Sequence, residues 1–127
     1  MIGNSLNWIL DKISRPPTLD LKTATEEQLL NYALSLAQEW GPNWMKPIND
    51  RLKNIYPDME PKRVDKYSRV AREAMIEGYD VVSKMLESHG KNLSKEQFQE
   101  SFIFKYPWVN ERNISDLMST GTYYHHK

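Results

Sequence analysis

The chain has 127 residues, a common size for one domain, and we interpret residues 1–127 as a single domain. Lys plus Arg and Asp plus Glu both number 17, so the formal net charge is zero. This balance lacks the basic excess that is typical of nucleic-acid binders and the strong acidity of nucleic-acid mimics. The absence of cysteine excludes disulfides, thiolate zinc sites and a cysteine nucleophile.

The N-terminal residues 1–14 do not have the pattern of a secretory signal, because Asn7, Asp11 and Lys12 interrupt the apolar residues. No stretch approaches the ~18 consecutive apolar residues that a membrane span needs. We therefore expect a cytoplasmic protein with no membrane partner.

Apolar residues recur at helical spacing along most of the chain, and prolines and glycines interrupt the pattern. No segment alternates apolar and polar residues over the length of a strand, and no Asn-Gly or Asp-Gly hairpin turn occurs. The sequence therefore predicts an all-α fold, an irregular bundle of five or six helices. The predicted helices cover residues 5–14, 25–40, 43–55, 61–88, 94–106 and 110–120.

Local signals define several helix ends. The sequences that begin at Thr25 and Ser94 are capping boxes, in which a hydroxyl and a glutamine three residues later cap each other's backbone N–H groups. Pro61 suits the first position of a helix, and Gly121 suits the position just after one. Gly78 lies inside the longest predicted helix, where we expect it to permit close approach of another helix or an aromatic ring.

The sequence contains no familiar catalytic motif. No phosphate-binding glycine loop and no Gly-x-Ser-x-Gly sequence occurs, and His89, His125 and His126 lack the three- or four-residue spacing of helical metal ligands. Glu73 and Glu77 share a helix face, but no Glu-x-x-His pair accompanies them as in di-metal bundles. We therefore predict no enzyme activity, no metal and no cofactor. A deep pocket that holds Glu73, Glu77 or a histidine with a strongly shifted pKa would instead indicate an enzyme with an unfamiliar site.

The first half of the longest predicted helix carries a basic stripe, formed by Lys62, Lys66, Arg69 and Arg72. The favoured interpretation is a solvated helix face, in which Arg69 pairs with Glu73 at four-residue spacing. The alternative is a nucleic-acid contact of a regulatory protein.

Aromatic residues concentrate at the helix junctions and in the C-terminal tail, outside the predicted inward stripes: Trp44, Tyr56, Tyr106, Trp108, Tyr123 and Tyr124. Trp and Tyr are common anchors of protein interfaces, although such residues can also seal helix ends against the core. Acidic residues lie near them in the sequence: Asp58, Glu60, Glu96, Glu100 and Glu111. Acidic groups around aromatic anchors would suit a basic partner, such as a nuclease.

Three stretches resemble small helical immunity proteins, which are encoded beside bacterial polymorphic toxins and in contact-dependent growth inhibition systems. They are Ala37 to Gly41, the pair Pro47-Ile48, and the C-terminal pattern of Tyr106-Pro107-Trp108, Asn113, Leu117, Gly121 and Tyr123-Tyr124. The resemblance implies a non-catalytic protein that binds and blocks a cognate toxin domain. It also implies that the partner is a protein and that there is no small-molecule substrate.

Overall fold

A computed structural model describes residues 18–39, 47–90 and 93–126, without the side chain of His89. This part of the chain contains five helices: α1 (Glu26–Ala37), α2 (Ile48–Ile55), α3 (Pro61–His89), α4 (Lys95–Ile103) and α5 (Glu111–His125). No described residue lies in a strand, and the predicted all-α class is confirmed. The predicted helix over residues 5–14 and the predicted anchor Trp44 lie outside the described residues.

Both predicted capping boxes are present. At the start of α1, the Thr25 hydroxyl accepts from the Gln28 N–H at 3.1 Å, and the Gln28 side chain accepts from the Thr25 N–H at 2.9 Å. The Ser94 box at the start of α4 has the corresponding distances of 3.2 and 2.8 Å. The structure also confirms Pro61 in the first turn of α3, and that helix ends before Gly90, whose φ is +63°.

The prediction that Gly121 ends the last helix is wrong. The helix α5 continues through Gly121 to His125, so most of the predicted tail is helical. A Cβ at Gly121 would lie 3.1 Å from the Cβ of Val82 on α3, which means that the glycine serves helix packing and not termination. Tertiary contact therefore overrides the local signal that a glycine gives.

The start of α2 also differs from its prediction. Pro47 is the residue before the helix, with an extended ψ of 140°, and does not lie in the first turn. The predicted helical residues 43–46 are outside the described part of the chain. The α4 helix ends at Ile103, before the predicted stop at Pro107.

The helix α1 packs against three other helices. Six of its twelve residues are buried, including Leu29, Tyr32, Leu34 and Leu36, and α1 contacts α2, α3 and α5. A helix that buries so many apolar residues must be covered by its neighbours. None of the described helices is long and apolar enough to cross a membrane.

The helices α3 and α5 run parallel in close contact. A Cβ at Gly78 would lie 3.1 Å from Leu117, and Gly121 meets Val82 one turn further along both helices. The expectation that Gly78 permits close approach of another helix is confirmed.

Two buried asparagines join α1 to the start of α5. The side chain of Asn113 donates to Asn31 Oδ1 and to the Asn31 carbonyl, both at 3.0 Å, and accepts from Ser35 and Gln38. The Asn31 amide nitrogen in turn donates to the Trp108 carbonyl at 2.8 Å, and Asn31 Oδ1 accepts from the Asn110 N–H at 2.9 Å. These bonds fix the segment between α4 and α5, which carries two of the predicted anchors.

Candidate protein-binding surface

The most exposed large apolar side chain among the described residues is Phe104, which is 92% exposed. It directly follows α4, whose Phe98 and Phe102 are buried in the core. The turn that carries Phe104 is closed by two hydrogen bonds, because the N–H groups of Lys105 and Tyr106 both donate to the Phe102 carbonyl. The phenyl ring is thus held on the outside of the molecule by an ordered backbone.

Two predicted acidic residues share the helix face of Phe104. Glu96 and Glu100 are exposed, and Glu100 lies four residues before Phe104, so the three side chains occupy successive turns. The adjacent cation, Lys105, is directed to Glu77 of α3 at 2.9 Å. We call Glu96, Glu100 and Phe104 the α4 surface.

A ladder of aromatic rings supports the α4 surface from inside. Phe98 stacks on Phe102 with ring centroids 5.3 Å apart, and Phe102 stacks on Tyr106 at 4.9 Å. Trp108 then meets Tyr106 edge-on at 6.3 Å. Stacked rings hold each other in fixed rotamers, so α4 and the following turn form a rigid support.

The ladder is tied to α3 through Tyr106. Its hydroxyl donates to Glu77 Oε2, while Lys105 binds the other oxygen of the same carboxylate. Burial, together with the hydrogen bond to Glu77 and its charge, raises the pKa of Tyr106 to about 12. The hydrogen bonds from Tyr106 and Lys105 lower the pKa of Glu77, so the pair is held as a phenol and a carboxylate.

The structure divides the predicted partner-binding residues into separate groups. Five lie in or next to α4 and the segment that leads to α5: Glu96, Glu100, Tyr106, Trp108 and Glu111. Asp58 and Glu60 are exposed between α2 and α3. Tyr123 and Tyr124 are exposed at the end of α5, where Tyr124 contacts Tyr79 with ring centroids 5.7 Å apart.

Tyr56 does not belong to an accessible surface, because its side chain is only 4% exposed. Its hydroxyl accepts from the Leu19 N–H at 2.7 Å, and its ring meets the ring of Tyr32 edge-on. Tyr56 therefore seals the core at the end of α2, as the alternative interpretation of the junction aromatics proposed.

The four basic residues of the alternative nucleic-acid face are all exposed on α3: Lys62, Lys66, Arg69 and Arg72. Two of them lie in ion pairs, Lys66 with Glu26 and Arg69 with Glu73, both at 3.8 Å. The predicted pairing of Arg69 with Glu73 is confirmed. Ion pairs at exposed sites are weak and leave these cations able to exchange partners.

Sequence reasoning did not predict the contact between Ser83 and His125. Ser83 Oγ of α3 lies 2.8 Å from His125 Nδ1 of α5, a pair that becomes adjacent only because α5 extends beyond Gly121. The ring of His126 packs edge-on against that of His125. Within the described residues, no three His, Asp or Glu side chains converge as metal ligands would.

A cleft of about 720 Å³ lies between α1 and the segment that joins α4 to α5. Asn31, Tyr32 and Trp108 are among the residues that line it. The amide of Asn31 already makes four hydrogen bonds to other protein groups, so this residue has no hydrogen-bonding capacity left for a ligand. Asn31 is therefore not a ligand-binding group of this cleft.

Comparison of the chain with models of protein families, with curated proteins and with solved structures finds no match in any of the three sets.

Proposed function

We propose that the protein is a non-catalytic binding module that acts as an immunity protein, and that it binds and blocks a cognate toxin domain through the α4 surface. The observation that supports this proposal most strongly is Phe104, an almost fully exposed phenyl ring on an ordered backbone. A large apolar side chain held in water costs free energy, and a partner that covers it recovers about 1.5–3 kcal/mol.

The rigid support favours tight binding. Binding to an ordered backbone loses less conformational entropy than binding to a disordered segment, so more of the burial energy contributes to affinity. The aromatic ladder of α4 and the two hydrogen bonds of the following turn supply this backbone order. Central apolar anchors of this kind dominate the energetics of many interfaces.

The charge of the α4 surface favours a basic partner. Glu96 and Glu100 lie on the same face as Phe104, while Lys105 is directed to Glu77. Complementary charge accelerates association and selects among partners more than it adds affinity. A basic toxin domain, such as a nuclease, has the chemistry that this surface would recognise.

Calorimetric titration of the chain with the product of each flanking gene tests the proposal. We expect one of these proteins to bind with a dissociation constant in the nanomolar range. Phe104→Ser should weaken binding about thirtyfold or more. The double variant Glu96→Lys, Glu100→Lys should slow association and reduce its dependence on salt.

Tyr123→Ser is the matched control, because it removes an exposed aromatic ring that lies on α5, outside the α4 surface. We expect this variant to bind as the wild type does. Absence of nanomolar binding to any flanking gene product would contradict the proposed function. Weakening by Tyr123→Ser but not by Phe104→Ser would contradict the assignment of the α4 surface.

The nucleic-acid alternative has one supporting observation, the exposure of four basic side chains on one helix. If this alternative holds, affinity for DNA or RNA should fall steeply with salt, and replacing Arg69 and Arg72 with Glu should abolish binding. A lack of binding, or a flat salt response, would exclude it.

A further inference from the structure

The helix α3 is about 43 Å long, and one side of it faces solvent along its whole length. We propose that this side pairs with the same side of a second copy of the chain, with the two helices antiparallel and a twofold axis passing close to Ile76. This inference does not depend on the proposed function, because the α4 surface lies on a different helix.

Ile76 is the centre of the proposed contact. It is 54% exposed and lies among charged residues on the outer side of α3. Tyr79 lies three residues later on α3, and its ring contacts the ring of Tyr124 of α5. Tyr123 and Tyr124 are themselves 51% and 44% exposed, so Tyr79 has the exposed Ile76 three residues before it on α3 and exposed rings next to it on α5.

The balance of charge along the helix also changes at Ile76. The exposed charged residues before Ile76 comprise four cations and two anions, Lys62, Lys66, Arg69, Arg72, Asp65 and Glu73. The exposed charged residues after Ile76 comprise two anions and one cation, Asp80, Glu87 and Lys84. A surface with opposite charge in its two halves is complementary to itself when a second copy is turned end to end.

The antiparallel arrangement makes a specific pairing. Arg72 and Asp80 each lie four residues from Ile76, on the same exposed side of the helix. A twofold axis at Ile76 therefore places Arg72 of each copy opposite Asp80 of the other. A parallel arrangement would instead place like charges together, because each residue would face its own copy.

One pairing in this register is unfavourable. Asp65 and Glu87 each lie eleven residues from Ile76, so the two carboxylates would face each other across the interface. Like charges at an interface oppose association. Replacing Asp65 with Lys should therefore tighten the dimer.

Sedimentation equilibrium of the full chain at protein concentrations from about 1 µM to about 1 mM tests the inference. We expect a reversible dimer with a micromolar dissociation constant, as is usual for a small interface. Ile76→Glu should yield a monomer, and Arg72→Glu should raise the dissociation constant about tenfold or more. The charge-swapped double variant Arg72→Glu, Asp80→Arg should restore the dimer, and Phe104→Ser should leave it unchanged.

A wild-type chain that stays monomeric throughout this range would overturn the inference. A dimer that survives Ile76→Glu, or one that Phe104→Ser disrupts, would show that another surface is used and would also overturn it. Failure of the double variant to restore association lost in Arg72→Glu would overturn the antiparallel register. Because these side chains are exposed, circular dichroism should show native helix content in each variant, and this makes loss of folding distinguishable from loss of association.

Discussion

Asn113 is completely buried, and yet its amide makes the full set of hydrogen bonds that an asparagine allows. Its partners Asn31, Ser35 and Gln38 all lie on or next to α1, so one side chain connects two helices that are distant in sequence. Burying a polar group is tolerated only when its bonds are replaced, which is the case here.

Asn113→Ala should therefore destabilise the protein by about 3 kcal/mol, because it leaves buried groups of α1 without partners. The free energy of unfolding from urea denaturation measures this loss. Asn54→Ala is the control, since Asn54 is exposed on α2 and its replacement should change stability by less than about 0.5 kcal/mol. Equal effects of the two substitutions would contradict the structural role of Asn113.

Arg51 is the only buried cation of the described residues, with 5% of its side chain exposed. It binds Glu39 at 2.5 Å and donates to the Leu36 carbonyl at 2.7 Å, which joins α2 to the end of α1. Arg51→Ala would leave the Glu39 carboxylate buried without this partner, and we expect a loss of about 3–5 kcal/mol in the free energy of unfolding. A similar loss for the exposed neighbour Lys53→Ala would contradict this interpretation.

The Glu77–Tyr106 pair should make stability depend on pH at both extremes. The folded-state pKa of Glu77 is lowered, so its contribution is present above the ordinary glutamate range and is lost as pH falls through the lowered pKa. The folded-state pKa of Tyr106 is raised from about 10 to about 12, so its contribution is present below pH ~10 and is lost as pH rises towards 12.

Urea denaturation of Tyr106→Phe across this pH range measures the effect. The variant should be less stable than the wild type at neutral pH, because Glu77 loses a hydrogen bond. The difference should shrink at both acid and alkaline pH. A difference that stays constant from acid to alkaline pH would contradict the coupling.

At the scale of elements, the close contact of α3 with α5 depends on two glycines whose neighbours differ. A Cβ at Gly78 would meet the methyl groups of Leu117, whereas a Cβ at Gly121 would meet both the Cβ and the methyl groups of Val82. A leucine can turn its outer methyl groups away, but a β-branched valine in a helix has one strongly preferred rotamer.

We therefore expect Gly121→Ala to destabilise the protein by about 1–2 kcal/mol, because overpacking outweighs the helix propensity that alanine gains. Gly78→Ala should change stability by less than about 0.5 kcal/mol, because the two effects are similar in size there. Thermal or urea denaturation of both variants measures which one loses more stability. A larger loss for Gly78→Ala would show that the Val82 side chain accommodates an added Cβ more easily than Leu117 does.

The elements differ in how well their sequence predicts them. The starts of α1, α3 and α4 were predictable because capping boxes and a helix-initiating proline act within a few residues. The end of α5 was not, because Gly121 is a local stop signal whose effect here is decided by Val82, 39 residues earlier in the chain. The extent of burial of α1, six of twelve residues, follows from its contacts with three other helices, which no local pattern encodes.

At the scale of the whole molecule, the sequence indicated part of the α4 surface. Glu96 and Glu100 were predicted as partner-binding residues, but Phe104 was not. A signal for Phe104 existed: it lies six residues after Phe98, a spacing that places it away from the inward stripe of a helix. Ile76 similarly falls outside the stripe of α3, but only the structure shows how much of its side chain is exposed.

Tyr56 is a predicted interface anchor that the structure places in the core. The sequence places it at a helix junction, where a core residue and an interface anchor have the same local pattern. Its burial results from contacts with Leu19 and Tyr32, which lie more than twenty residues away in the chain. Burial of such a residue depends on tertiary packing that no local pattern encodes.

The most direct measurement is the growth of cells that express the product of a flanking gene, with and without this chain. We predict that one flanking product arrests growth, that the wild-type chain restores growth, and that Phe104→Ser restores it poorly at equal expression. Full growth with the flanking products alone, or arrest that the wild-type chain does not relieve, would contradict the proposal that this protein neutralises a toxin.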